Sequence, residues 1–257
     1  MLEGIAITRA VSPALAGCEL THLARVPIDV DVARAQHRVY EQALIDAGYR
    51  IEHLEADETM PDSVFVEDMA VVFDELAILT RPGAESRRRE MPAIAAALAA
   101  HRPLFEIQSP GTVDGGDVLV AGRTVFIGIS TRTDTAAAGQ MRRILSPFGY
   151  TVIETAVRDC LHLKSAVTAI DDGRLLVNPR WIDAAAFDKF TLVEVAADEP
   201  SAANVLQLAD RIVAARAFPR TAERIAALGL RVECVEADEL AKAEGAVTCC
   251  SLLVPGS

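Results

Sequence analysis

Four times along this chain a polar residue leads into a short apolar run, a tight polar turn, a second run and an end marked by Arg. The copies start at Asp68, Asp117, Ser165 and Asn204, with turns at 74–75, 121–123, 171–173 and 209–210. Their second runs finish at Thr80-Arg81-Pro82, Thr131-Arg132, Pro179-Arg180 and Pro219-Arg220. β-Branched runs flanking a short polar turn predict β-hairpins. A fifth first-strand, Cys249-Cys250-Ser251-Leu252-Leu253-Val254, has no second strand after it. Its partner stands at the other end of the sequence, where Gly4-Ile5-Ala6-Ile7-Thr8-Arg9 carries the same Thr-Arg finish.

The starts are spaced 49, 48, 39 and 45 residues apart, which leaves room for helices between hairpins. Helical spacing predicts one over 32–47, with Val39, Ala43, Leu44 and Ala47 on its apolar face. A second is expected over 87–100 behind an N-cap at Ser86, and a third over 135–148. A fourth is expected over 222–228, between a Thr221 cap and Gly229. Five such units, the last closed by the N-terminal strand, describe a ring that hides its sheet edges. The predicted fold class is therefore α/β: a five-bladed pseudo-symmetric propeller formed by residues 1–257 as one domain. An ordinary α/β sandwich is the alternative, but it leaves the matching halves of the fifth unit as coincidence. In a ring the polar starts converge on the axis. Asp68, Asp117, Ser165 (with His162 just before it), Asn204 and Cys249 should then surround one pit.

A thiol in that pit is a nucleophile only as thiolate, and needs a base or cationic neighbour. His162, in Leu161-His162-Leu163, is the candidate; both it and Cys249 read as strand residues. Taken singly, each has a plainer explanation. Free cysteines are commonly buried hydrophobes, and a histidine between leucines is more often core than catalyst. The five cysteines, at 18, 160, 234, 249 and 250, are odd in number and lack CxxC spacing, so neither a disulfide framework nor a structural zinc site is expected. A net charge of −12 argues against nucleic-acid binding and is compatible with a cationic small molecule. No apolar run is long enough to span a membrane, and Met1-Leu2-Glu3-Gly4-Ile5-Ala6-Ile7 lacks the features of a signal peptide. A cytoplasmic location is expected.

Several ordered segments resemble the dimethylarginine dimethylaminohydrolases. They are Asp62-Ser63-Val64-Phe65-Val66-Glu67-Asp68, Thr80-Arg81-Pro82-Gly83, Thr112-Val113-Asp114-Gly115-Gly116-Asp117, Ser130-Thr131-Arg132, Leu161-His162-Leu163-Lys164 and Thr248-Cys249-Cys250-Ser251. Together they span the chain from about Leu20 to Leu253. The resemblance implies the five-bladed pentein fold of the guanidine-modifying superfamily, in agreement with the repeat. It also implies hydrolysis of Nω-methylated arginines to citrulline and a methylamine, with no metal and no cofactor.

Residue by residue, the resemblance implies Cys249 as nucleophile, His162 as acid and base, and Asp114 as the carboxylate that orients the imidazole. Some members carry Glu where this chain has Asp114, so the shorter arm is expected to hold His162 less closely or through water. Asp68 is expected to bind the guanidinium. Arg87 and Arg132 are expected to clamp the α-carboxylate, and Asp62 to take the α-ammonium. Phe65 and Glu67 are expected to line the site, with further contacts from the Leu20 carbonyl on a lid and from Ala243 and Glu244. Lys164 receives no role. The partner is then a small molecule, free methylated arginine, with no nucleic acid or membrane; dimers and monomers both occur in the family, so a homodimer is one expected state. The rival readings are an arginine deiminase acting on unmethylated arginine, which usually carries an added helical domain, and a catalytically silent amino-acid-binding protein.

Overall fold

The computed structural model describes residues 4–256; Met1, Leu2 and Glu3 of the segment read for a signal peptide lie outside the described residues. The chain runs β1 (Gly4–Arg9), α1 (Val30–Asp46), β2 (Tyr49–Leu54), β3 (Ala70–Val72) and β4 (Ala77–Leu79). Next come α2 (Met91–Ala99), β5 (Leu104–Glu106), β6 (Val118–Ala121), β7 (Thr124–Ile129), α3 (Thr135–Leu145) and β8 (Thr151–Ala156). The second half holds α4 (Leu163–Ala166), β9 (Val167–Ala169), β10 (Arg174–Val177), β11 (Thr191–Glu194) and β12 (Leu206–Gln207). It ends with β13 (Ile212–Ala215), α5 (Pro219–Ala227), β14 (Val232–Val235), α6 (Asp238–Ala241) and β15 (Leu252–Pro255).

The strands form five separate three-stranded sheets, ordered β15-β1-β2, β3-β4-β5, β6-β7-β8, β9-β10-β11 and β12-β13-β14. Each middle strand is antiparallel to its inner neighbour and parallel to its outer one. The N-terminal strand closes the fifth sheet as expected, with Gly4 opposite Pro255 and Ile7 opposite Leu252. Five apolar clusters fill the wedges between successive sheets. One joins Ile7 and Leu252 to Ala77, Leu79 and Leu98; the next joins Val71 and Ile78 to Val125 and Met141. Phe126 then packs with Leu175 and Phe187, Leu176 with Ile212 and Ile225, and Val213 with Ala6 and Leu44. The last wedge returns to the first sheet, so the five sheets are arranged as a five-bladed pseudo-symmetric propeller.

Three expectations need correction. The outer strands β2, β5, β8, β11 and β14 were not foreseen, because they are partly exposed and carry weak alternation. The polar starts lie not on strands but in short helical turns just before them: Val66–Met69, Gly115–Asp117, Leu163–Ala166 and Thr248–Cys250. Two caps also differ. Ser86 donates to Glu19 Oε1 at 2.7 Å instead of capping, and lies inside a 3-10 turn over Glu85–Glu90 that precedes α2. Thr221 lies inside α5, whose first amides are held instead by Glu199, which accepts from Arg220 N at 3.0 Å and Thr221 N at 2.7 Å. Asp29 and Asp134 are the side-chain caps of α1 and α3. Between β10 and β11 stands only a 3-10 turn, Ala184–Phe187. No helix among the described residues is long and apolar enough to cross a membrane.

Candidate active site

The turns before β3, β6, β9 and β15 meet at one end of the propeller axis, and a narrow cleft opens there. Asp68, Asp114, His162 and Cys249 line it together. His162 is the residue before α4, in an extended conformation, so its ring projects away from the turn. Its Nε2 stands 3.1 Å from Asp114 Oδ2, and its Nδ1 3.8 Å from Asp68 Oδ1. Asp114 therefore reaches the imidazole directly. Its other oxygen accepts from Gly83 N at 2.8 Å, which fixes the carboxylate plane.

Asp117, expected in the pit, is one layer back. It accepts from Ser130 Oγ and Thr133 Oγ1, each at 2.6 Å, and from Leu163 N at 2.9 Å, which anchors the backbone beside His162. Asn204 is also behind the surface, pinning Thr248 through two hydrogen bonds of 2.9 and 3.1 Å. Gly116 explains why DGGD is written with glycine at this point. Its N–H donates to Asp68 Oδ1, and a Cβ there would lie 2.5 Å from His162 Nδ1.

Burial and charge set the protonation states. Burial disfavours an imidazolium, but the carboxylates of Asp68, Asp114 and Asp117 outweigh it and lift His162 to about 9. At neutral pH the ring is thus protonated. Asp68 is buried, which would favour its neutral form, yet His162 and Arg87 hold its pKa below the ordinary value. The Cys249 thiol is pushed well above its usual range by burial and by the nearby Glu67 and Asp68 carboxylates. Without a cation beside it, Cys249 is a neutral thiol. The ligand atoms of Asp68, Asp114 and His162 lie within 4.8 Å of one another, a spacing a metal ion could bridge, but here Arg87 and the imidazolium supply the positive charge.

The arginine deiminase family model matches residues 32–201 of the chain. A dimethylarginine dimethylaminohydrolase of Streptomyces coelicolor is 40% identical over 250 residues, covering 96% of this chain and 95% of that protein. The chain belongs to the dimethylarginine dimethylaminohydrolase family. The Pseudomonas aeruginosa dimethylarginine dimethylaminohydrolase is 37% identical over 92% of this chain and 93% of its own length. A solved structure of that protein, a cysteine-to-serine mutant complexed with citrulline, superposes with a TM-score of 0.94 at 34% identity, over 98% of this chain and all of that one.

Of the positions that the resemblance to dimethylarginine dimethylaminohydrolases singled out, the cleft brings together Asp62, Phe65, Asp68, Arg87, Asp114, Arg132, His162, Ala243, Glu244 and Cys249. Two fall elsewhere. Glu67 faces a second, larger hollow lined by β3, β6, β9, β12 and β15, where it accepts from Lys164 Nζ at 2.6 Å and Thr248 Oγ1 at 2.7 Å. In the lid, Glu19 rather than Leu20 lines the cleft. Arg87 is less free than a carboxylate clamp requires. It is buried, its Nε and Nη2 grip both Glu90 oxygens, Nη2 also serves the Asp62 and Phe65 carbonyls, and Nη1 pairs with Asp68. Of its five N–H groups at most one remains for a ligand. Arg132 is more open: Nη2 donates to Thr21 Oγ1 at 2.9 Å, and Nη1 stands 3.9 Å from Asp114. It does not pair with Asp134, whose carboxylate caps α3.

Sequence reasoning missed Leu161 and Gly245 as lining residues, and Lys164 as Glu67's partner. Gly245 leaves no room for a Cβ, because the Phe65 ring lies directly against it. Cys249 and Cys250 occupy a 3-10 turn, not a strand, so strand alternation does not separate them. They separate all the same: Cys249 lines the cleft, while Cys250 donates to Ala246 O at 3.6 Å within the core.

Proposed function

We propose that this protein hydrolyses Nω,Nω-dimethyl-L-arginine and Nω-monomethyl-L-arginine to L-citrulline and dimethylamine or methylamine, through a covalent intermediate on Cys249. The reading is carried by one observation: a buried imidazolium, held between Asp114 and Asp68, shares a narrow cleft with a thiol that burial and surrounding negative charge keep from ionising. A guanidinium bound at Asp68 offsets them, since a cation beside the sulfur favours the thiolate, and the thiol proton passes to solvent as the substrate binds. The thiolate then attacks the guanidinium carbon. His162 gives its proton to the departing amine, leaving a thiouronium on Cys249, and the neutral ring next takes a proton from water. Water adds to the same carbon, the C–S bond breaks, and citrulline and the thiol are released.

Asp114 and Asp68 stabilise the imidazolium before the first proton transfer, and Asp114 keeps the ring oriented afterwards. At the amino-acid end, Asp62 binds the α-ammonium, and Arg132 with the one remaining Arg87 N–H binds the α-carboxylate. Phe65 and the backbone at Ala243 and Glu244 wall the cleft. Glu67 supports the site from behind. Residues 1–257 act as one hydrolase unit on a free amino acid, which needs no nucleic-acid surface and no membrane span and suits a cytoplasmic enzyme.

Turnover of asymmetric dimethylarginine, monomethylarginine, arginine and agmatine, read as citrulline or carbamoylputrescine, tests this directly. Agmatine lacks the carboxylate and forfeits hydrogen bonds worth about 1.5–3 kcal/mol each, so its kcat/KM should fall by at least roughly tenfold. Preference for unmethylated arginine would make the chain a deiminase, and binding without citrulline a silent receptor; either result refutes the proposal.

A further inference from the structure

We infer that Glu244 is a positioning residue that latches a lid, residues 19–23, over Cys249. Its carboxylate accepts three successive backbone amides of that segment: Thr21 N at 2.9 Å, His22 N at 2.5 Å and Leu23 N at 2.6 Å. These partners are 221 to 223 residues away in sequence, so the contact is a tie across the ring rather than a local turn. Three consecutive N–H groups converging on one carboxylate form an anion nest with the anion supplied by the protein itself.

The segment carrying the latch is built to stay put. Glu244 has φ +59, a left-handed conformation that non-glycine residues seldom adopt and that the surrounding structure must enforce. Directly after it, Gly245 is packed against the Phe65 ring, and Cys249 N donates to Ala246 O at 3.1 Å. The latch is therefore rigidly coupled to the turn that bears the nucleophile.

Beyond the Ser86–Glu19 bond, two ties of the lid run to the groups assigned to the amino-acid end of the substrate. Glu19 N donates to both Asp62 oxygens at 3.2 Å, and Thr21 Oγ1 accepts from Arg132. A ligand arriving at Asp62 and Arg132 must share or replace these lid contacts, whereas the Glu244 latch is left intact. Glu244 thus holds the lid in register while its other ties exchange. This last consequence rests on the hydrolase reading; the latch itself does not.

The experiment reads the lid without substrate. Amide hydrogen exchange at residues 21–23 and alkylation of Cys249 by an uncharged reagent are compared in the wild-type protein, Glu244→Gln and Glu244→Ala. Alanine should speed both by about tenfold or more, as expected when a charge-assisted tie is lost, and glutamine, which keeps one acceptor, should fall between. Exchange in β7 and the unfolding midpoint report the fold as a whole. With dimethylarginine, the latch predicts a rise in KM larger than the fall in kcat. Unchanged exchange and alkylation in a folded Glu244→Gln or Glu244→Ala protein would overturn the latch, whatever substrate the enzyme turns over. Faster exchange in β7 to the same extent as at 21–23 would also overturn it, by showing that Glu244 serves general stability only.

Discussion

Replacing Asp114 by Asn keeps the shape of the side chain and removes the charge 3.1 Å from His162 Nε2. Two unit charges at that distance attract by about 5 kcal/mol at an effective dielectric of roughly 20. Asparagine recovers about 1 kcal/mol through a neutral hydrogen bond, and Asp68 and Asp117 remain in place. The net loss should lower the His162 pKa by about 1–3 units, the usual effect of one close opposite charge. The sign follows from the raised folded value. A pKa of about 9 against an ordinary 6.5 gives a stabilisation fully present below 6.5 and lost as pH rises through about 9. Catalysis should follow the same window, because the leaving amine needs the protonated ring. In Asp114→Asn the alkaline limb of kcat/KM, followed by citrulline formation, should move from about 9 towards neutrality, and the His162 Cε1 proton resonance should titrate with it. An alkaline limb still at about 9 would show that Asp114 does not govern the imidazolium.

Three other outcomes are expected. Cys249→Ser should form no citrulline while unfolding at nearly the wild-type temperature; Cys250→Ser should stay active and lose about 1–3 kcal/mol through a hydroxyl placed in the core. A covalent adduct mapped to Cys250 by mass spectrometry would reverse that assignment. Gly116→Ala places a methyl 2.5 Å from His162 Nδ1 and should cut kcat about 10²-fold by displacing the ring, so unimpaired turnover would refute the required close approach. Burial raises Asp62 to about 6 against the pull of Arg87, so KM for dimethylarginine should climb as pH falls through about 6 and the carboxylate is neutralised; a flat KM there would remove Asp62 from ammonium binding.

What could be read from the sequence was whatever repeats or carries intrinsic chemistry. The five hairpins were legible because their inner and middle strands are buried, apolar and joined by short polar turns. The outer strands were not, since a strand such as Leu104-Phe105-Glu106 is short and mostly exposed, and its partners rather than its residues make it a strand. Cys249 and His162 could be named because thiols and imidazoles are few, five of each, whereas Asp114, one of 37 acidic residues, was picked out by the family resemblance of its neighbours. Glu67 and Arg87 were harder. Both stand beside residues that line the cleft, and only three-dimensional packing shows that Glu67 turns to Lys164 and that Arg87 is committed to Glu90 and Asp68. The lid was least legible of all, because its ties depend on Glu244, more than two hundred positions away.

The pairing of β1 with β15 has a consequence for how the chain comes to be folded. Gly4 faces Pro255, so β1 waits for a strand about 250 positions later in the sequence before that pair can form. Contacts of such sequence separation close late, since the entropy of the intervening loop must be overcome first. The turn holding Cys249 immediately precedes β15 and shares its timing. A nascent chain therefore carries His162 and the carboxylates before it carries a nucleophile set in place, and the chemistry switches on only when β15 has joined β1 and the ring is closed.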